Sequence, residues 1–138
     1  MNLRALPVLV GGLILLSGIG PAFGQADDLE AEWKLLSTRD AKEAHPGCEQ
    51  SRMIVRPGGR VVFELAGKVA NRGELTCDGS GKRRSVDLHL ADGQTLRGVY
   101  EVKDDQLIIC FAESGQPRPS ATTPKGTQWA ETWQRVKP

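Results

Sequence analysis

Three cysteines, two histidines and a Trp129-Ala130-Glu131-Thr132-Trp133 run hold most of the chemistry this chain could perform. Cys48 lies in the turn-rich His45-Pro46-Gly47-Cys48 segment, and Cys77 adjoins Asp78-Gly79-Ser80-Gly81. Cys110 sits inside the apolar run Leu107-Ile108-Ile109-Cys110-Phe111, where a free thiol behaves as a small hydrophobe. A Cys48–Cys77 disulfide is therefore expected, with three free thiols as the alternative. Its loop of roughly 30 residues would stabilise the fold by about 3–4 kcal/mol. His45, Cys48 and Cys77 do not make a zinc site, because a structural zinc takes four ligands in closely spaced pairs. No metal or other cofactor is expected. His45 precedes Pro46, and His89 falls on the polar face of its run beside Asp87, so both read as solvated. There is no Gly-x-Ser-x-Gly elbow and no phosphate-cradling glycine loop. Asp104-Asp105 reads as turn chemistry, since aspartate bonds its own backbone in turns. With no paired acid, base or nucleophile to assign, the expectation is a protein that is not an enzyme.

The elements that must carry these residues follow a period of two. Val61, Phe63 and Leu65 alternate with Val62 and Glu64, and Val86, Leu88 and Leu90 with Asp87 and His89. Leu96, Gly98, Tyr100 and Val102 alternate with Arg97, Val99, Glu101 and Lys103, and Leu107, Ile109 and Phe111 with Ile108 and Cys110. Successive strand side chains point to opposite faces, so one face is predicted to meet a core and the other water. Pro57-Gly58-Gly59, Ala91-Asp92-Gly93 and Lys103-Asp104-Asp105 mark turns, the last a tight hairpin. Gly115 to Gly126, with Pro117, Pro119 and Pro124, reads as a long loop. Helical spacing is confined to Asp28–Glu32. Counting a first strand at Trp33–Ser37 and a last from about Gln128 to Val136, seven or eight strands are predicted. The fold class is all-β: a small antiparallel up-and-down barrel, which leaves no exposed sheet edge, with a β-sandwich as the alternative.

Phe63, Leu88, Tyr100, Ile109 and Phe111 would line the interior and are the candidate ligand-binding residues. The corresponding function is a binding module with a small apolar ligand in the barrel mouth. The alternative is an envelope interaction or structural module with a filled core. A pocket of at least about 300 Å³ at one barrel end separates the two readings. Trp129 and Trp133 share a face with Glu131 between them, either capping the core or turning one indole outward to a partner. Val62, Val99 and Ile108 on the polar faces would form an apolar exterior patch.

The chain has 138 residues, room for one domain, and 18 Lys+Arg nearly cancel 17 Asp+Glu. That balance argues against a nucleic-acid partner, which demands a basic face. Arg4, the apolar run Val8–Leu16 and the small residues Ala22 and Gly24 form the parts of a secretory signal over residues 1–24. Residues 25–138 would then be a single exported domain, in the periplasm, cell envelope or medium, with no stable membrane insertion. An uncleaved anchor is the alternative.

The run Gly98-Val99-Tyr100-Glu101-Val102 through Leu107-Ile108-Ile109-Cys110-Phe111, followed by Gly115-Gln116-Pro117-Arg118-Pro119, resembles a planctomycete-rich family of secreted bacterial domains with no assigned reaction. Ala31-Glu32-Trp33 matches that family's opening segment apart from its glycine. The resemblance implies a lipocalin-like barrel. By the lipocalin analogy, Trp33 would close one end beneath Arg135, while Cys48 and Cys77 stand outside the family pattern.

Overall fold

In the computed structural model, residues 27–78 and 84–137 are described. The segment read as a signal, residues 1–24, and the glycine-rich residues 79–81 beside Cys77 lie outside them. Among the described residues, nine strands follow a short 3-10 turn, Asp27–Leu29: β1 (Ala31–Arg39), β2 (Ala44–Pro46), β3 (Ser51–Val55), β4 (Arg60–Leu65), β5 (Lys68–Asp78), β6 (Arg84–Leu90), β7 (Thr95–Lys103), β8 (Gln106–Phe111) and β9 (Trp129–Arg135). All neighbours are antiparallel, and β1 pairs with β9, closing an eight-stranded barrel. The predicted all-β barrel is the observed architecture. The short β2 is an addition, pairing only with the far half of β1 while β3 takes the near half.

The jog between β2 and β3 has a local cause. Opposite β9, β1 carries a bulge between Leu35 and Ser37, so Leu36 is pushed outward and is 37% exposed. Gly47 lies on this bulge and donates its N–H to the Leu36 carbonyl at 2.8 Å. A Cβ there would sit 2.3 Å from the Leu35 oxygen, so only glycine fits this close approach. Beyond the bulge the inward phase resumes with Thr38, opposite Glu131.

Turns alternate between the two ends of the barrel. At one end lie the Pro57–Gly59 turn, the Asp104–Asp105 hairpin and the N-terminal 3-10 turn. Leu29 is fully buried there, and its carbonyl accepts the indole N–H of Trp33 at 2.9 Å. Asp28 bonds Arg84 and, at 3.5 Å, the Tyr100 hydroxyl. This is the closed end. The opposite end carries the Ala66–Gly67 and Ala91–Gly93 turns and the long 112–128 connection.

One cluster fills the interior: Leu29, Trp33, Met53, Val55, Val61, Leu75, Cys77, Val86, Leu88, Tyr100, Leu107, Ile109, Phe111 and Trp133. A second cluster lies outside the wall, where Val99, Cys110 and Ala130 are buried on the outer face of β7–β9. The 112–128 loop covers it. Thr122 reaches Glu101, Gln128 meets the Cys110 thiol, and Arg118 crosses to β6 and β7. The exterior patch expected from Val99 is thus sealed by the chain itself.

The expected disulfide is not formed, and all three thiols are free. Cys48 lies on the 47–50 connection at the open end, whereas Cys77 projects inward from β5 toward the closed end, paired with Val86. Cys77 shares the inward phase of Leu75 and is a core residue.

Candidate functional site

At the open end, inward side chains from four strands are only partly buried: Phe63 of β4, Leu90 of β6, Leu96 of β7 and Trp129 of β9. They sit above the sealed core and form an apolar mouth. A recess of about 460 Å³ opens beside it, lined by Gln94, Leu96, Glu113, Ser114 and Trp129. The Phe111 and Trp129 rings meet at 5.7 Å, tilted by 37°, and fix one wall.

Glu131 projects into this interior. Strand alternation on β9 turns Trp129, Glu131 and Trp133 inward, and Glu131 pairs in register with the buried Ile109. Its two oxygens are held separately, Trp129 Nε1 donating to Oε2 and Trp133 Nε1 to Oε1, each at 3.1 Å. Two donors on two oxygens suit an ionised carboxylate, which accepts and does not donate. Burial nevertheless pushes the Glu131 carboxyl above the usual carboxylate range, only partly offset by the two indoles.

A raised folded-state value means that Glu131 binds its proton more tightly in the native protein than in the unfolded chain. Its contribution to stability is complete below the unfolded carboxylate value and is lost as pH rises through the folded one. Denaturant unfolding from pH 4 to 8 should therefore show wild type losing ground to Glu131→Gln. The slope is at most about 1.4 kcal/mol per pH unit within that window. A constant difference between the two proteins overturns this.

Of the five candidate ligand residues, Leu88, Tyr100, Ile109 and Phe111 are all buried within the core. Only Phe63 retains exposure toward the mouth. All five lie on the inward face, but four are packed in the core, with the Tyr100 hydroxyl turned to Asp28 at the closed end. Burial raises the Tyr100 phenol strongly and pushes the Cys77 thiol to about 11. Cys48, by contrast, is held below the usual thiol value, first by the Gln50 backbone N–H and then by the Ser51 side chain. Trp33 and Arg135 meet at the closed end, the guanidinium carbon 4.5 Å from the indole centroid. Asp105 steadies that arginine at 3.3 Å and Lys137 at 3.1 Å, and Lys137, then Arg135, hold the Asp105 carboxyl low.

His89 lies on the outer face between Thr76 at 3.3 Å and Thr95 at 3.1 Å. His45 stands on the exposed strand β2, 3.4 Å from Asp40, whose other oxygen accepts the Lys42 and Glu43 backbone N–H groups. In the strand register His45 pairs with Thr38, which pairs with Glu131 on its other side, and His89 pairs with Thr95 beside Leu96 but faces outward. Two residues carry more than sequence reasoning assigned them. Glu131 was legible as the middle of an inward Trp-x-Glu-x-Trp face, but a charge there contradicts the usual polar-out rule. Arg118 gives no periodic signal, because its partners lie on β6 and β7, 32 and 20 residues away. No family model, curated protein or solved structure matches the chain.

Proposed function

We propose that this chain is an exported, non-enzymatic, lipocalin-like binding module that holds a small molecule with an apolar body at the open end of its barrel. The observation that carries the reading is the asymmetry of the two ends. One is plugged by Leu29, Trp33 and Arg135, while the other leaves Phe63, Leu90, Leu96 and Trp129 only partly covered. The adjoining recess of about 460 Å³ is matched by recesses of about 470 and 420 Å³ at the other end, so the uncovered apolar side chains, and not the volume, distinguish the mouth. Support for export comes from Arg4, the apolar run after it and the small residues before Gln25. The Tyr100-to-Arg118 resemblance to secreted bacterial domains points the same way.

Titration with N-phenyl-1-naphthylamine, a dye uncharged at pH 7, tests the site. Saturable one-to-one binding is expected, weakened at least about tenfold by Trp129→Ala, which removes the largest mouth side chain. Absence of saturable binding, or affinity untouched by Trp129→Ala, overturns the reading. A second reading, docking to an envelope protein, is favoured by the β4–β5 hairpin, where Leu65 and Val69 are 50% and 47% exposed. A co-purifying polypeptide lost on Leu65→Lys would support it.

A further inference from the structure

We propose that the mouth selects a ligand with a protonated amine, its nitrogen paired to Glu131 and its apolar body against Leu96 and Trp129; this rests on the binding reading above. None of the ion pairs among the described residues includes Glu131. Glu131 is half-buried, and drawing a carboxylate even partly out of water is costly unless a countercharge and hydrogen bonds replace the lost hydration. Two indole N–H groups supply hydrogen bonds but no charge. A core that needed only filling would be served by an apolar residue at this position, as it is by Ile109 opposite. Each Glu131 oxygen keeps acceptor capacity beyond its single indole bond, and an ammonium brings three donors with the missing positive charge. Glu113, on the lining of the adjoining recess, adds a second negative group and none of the lining residues there is cationic. The same surroundings disfavour a carboxylate ligand and give an alcohol only a neutral hydrogen bond.

Calorimetric titration at pH 7 and low salt with octylamine, 1-octanol and octanoate tests this on the wild-type protein. Octylamine is expected to bind at least tenfold more tightly than 1-octanol, with octanoate weakest. Octylamine should also move the ¹⁵N-indole signals of Trp129 and Trp133 and leave that of Trp33, at the closed end, in place. In Glu131→Gln the amine-to-alcohol ratio should fall below about twofold. Equal affinity for octylamine and 1-octanol overturns amine selection while leaving the mouth site standing. Failure of all three ligands overturns the selection and the binding reading together. An amine preference that persists in a folded Glu131→Gln, or that shifts only Trp33, overturns the assignment to Glu131.

Discussion

Replacing Trp33 by alanine is expected to remove about 3–5 kcal/mol of stability, a large share of what a domain of this size possesses. Trp33 is the largest fully buried side chain and has no exposed surface. It pairs in register with Met53 on one side and Arg135 on the other, so its loss opens a cavity at the strand pair that closes the barrel. Two further interactions go with it. The Leu29 carbonyl loses its indole donor, which frees the 3-10 turn that plugs this end. The Arg135 guanidinium loses the ring beneath it, an interaction of about 0.5–2 kcal/mol. Trp33→Phe separates these contributions, since it keeps a ring under Arg135 but has no N–H for Leu29. Urea unfolding should order the proteins wild type, Trp33→Phe, Trp33→Ala. A Trp33→Ala loss below about 1.5 kcal/mol would mean that the closed end can collapse around the gap.

Where two faces of a strand meet different environments, the sequence could be read directly. Leu107, Ile109 and Phe111 lie inside because β8 has the core on that side, and the same alternation places Tyr100 and Leu88. Cys110 is the instructive exception. It sits on the outer phase yet is fully buried, because the proline-rich loop folds back over β7–β9. Period two says which side a residue takes and nothing about what covers that side. The Ala66–Gly67 turn carries no signal in the sequence, because Ala66 adopts φ 54°, a conformation that alanine rarely takes. Without that turn, the exposed first half of β5 has no visible beginning.

The same distinction explains the cysteines and the site. Cys77 follows Leu75 at the inward spacing, and that phase, more than the neighbouring turn, decides its fate. Glu131 follows Trp129 at the same spacing, and the wall register carries it inside despite its charge. In both cases the strand geometry overrules residue type. A thiol accepts such a position at little cost. A carboxylate accepts it only with donors, which the two flanking indoles provide.

The largest remaining effect is expected at Arg118, which ties the long loop to the barrel wall. Its Nη1 donates to the carbonyls of Val86 at 3.0 Å and Gly98 at 2.9 Å, and its Nη2 lies 2.8 Å from the Asp87 carboxylate. Hydrogen bonds from a charged donor contribute about 1.5–3 kcal/mol each at most, and these are partly exposed and not additive. Arg118→Ala should therefore cost about 2–3 kcal/mol. The loss should fall mainly on the 112–128 loop, because the ladders of β6–β9 do not involve this side chain. Arg118→Lys should not restore it, since a single ammonium lacks the planar fork that spans two carbonyls and a carboxylate. Cys110 supplies the readout, being fully buried beneath the loop. In a Cys48→Ser background, loop opening should expose Cys110 to a maleimide roughly 30- to 150-fold more often in Arg118→Ala, the same 2–3 kcal/mol expressed as an equilibrium. Cys77, inside the barrel, should stay protected in both proteins. Equal labelling of Cys110 with and without Arg118 would show that Pro119 and Pro124, both buried, hold the loop without it.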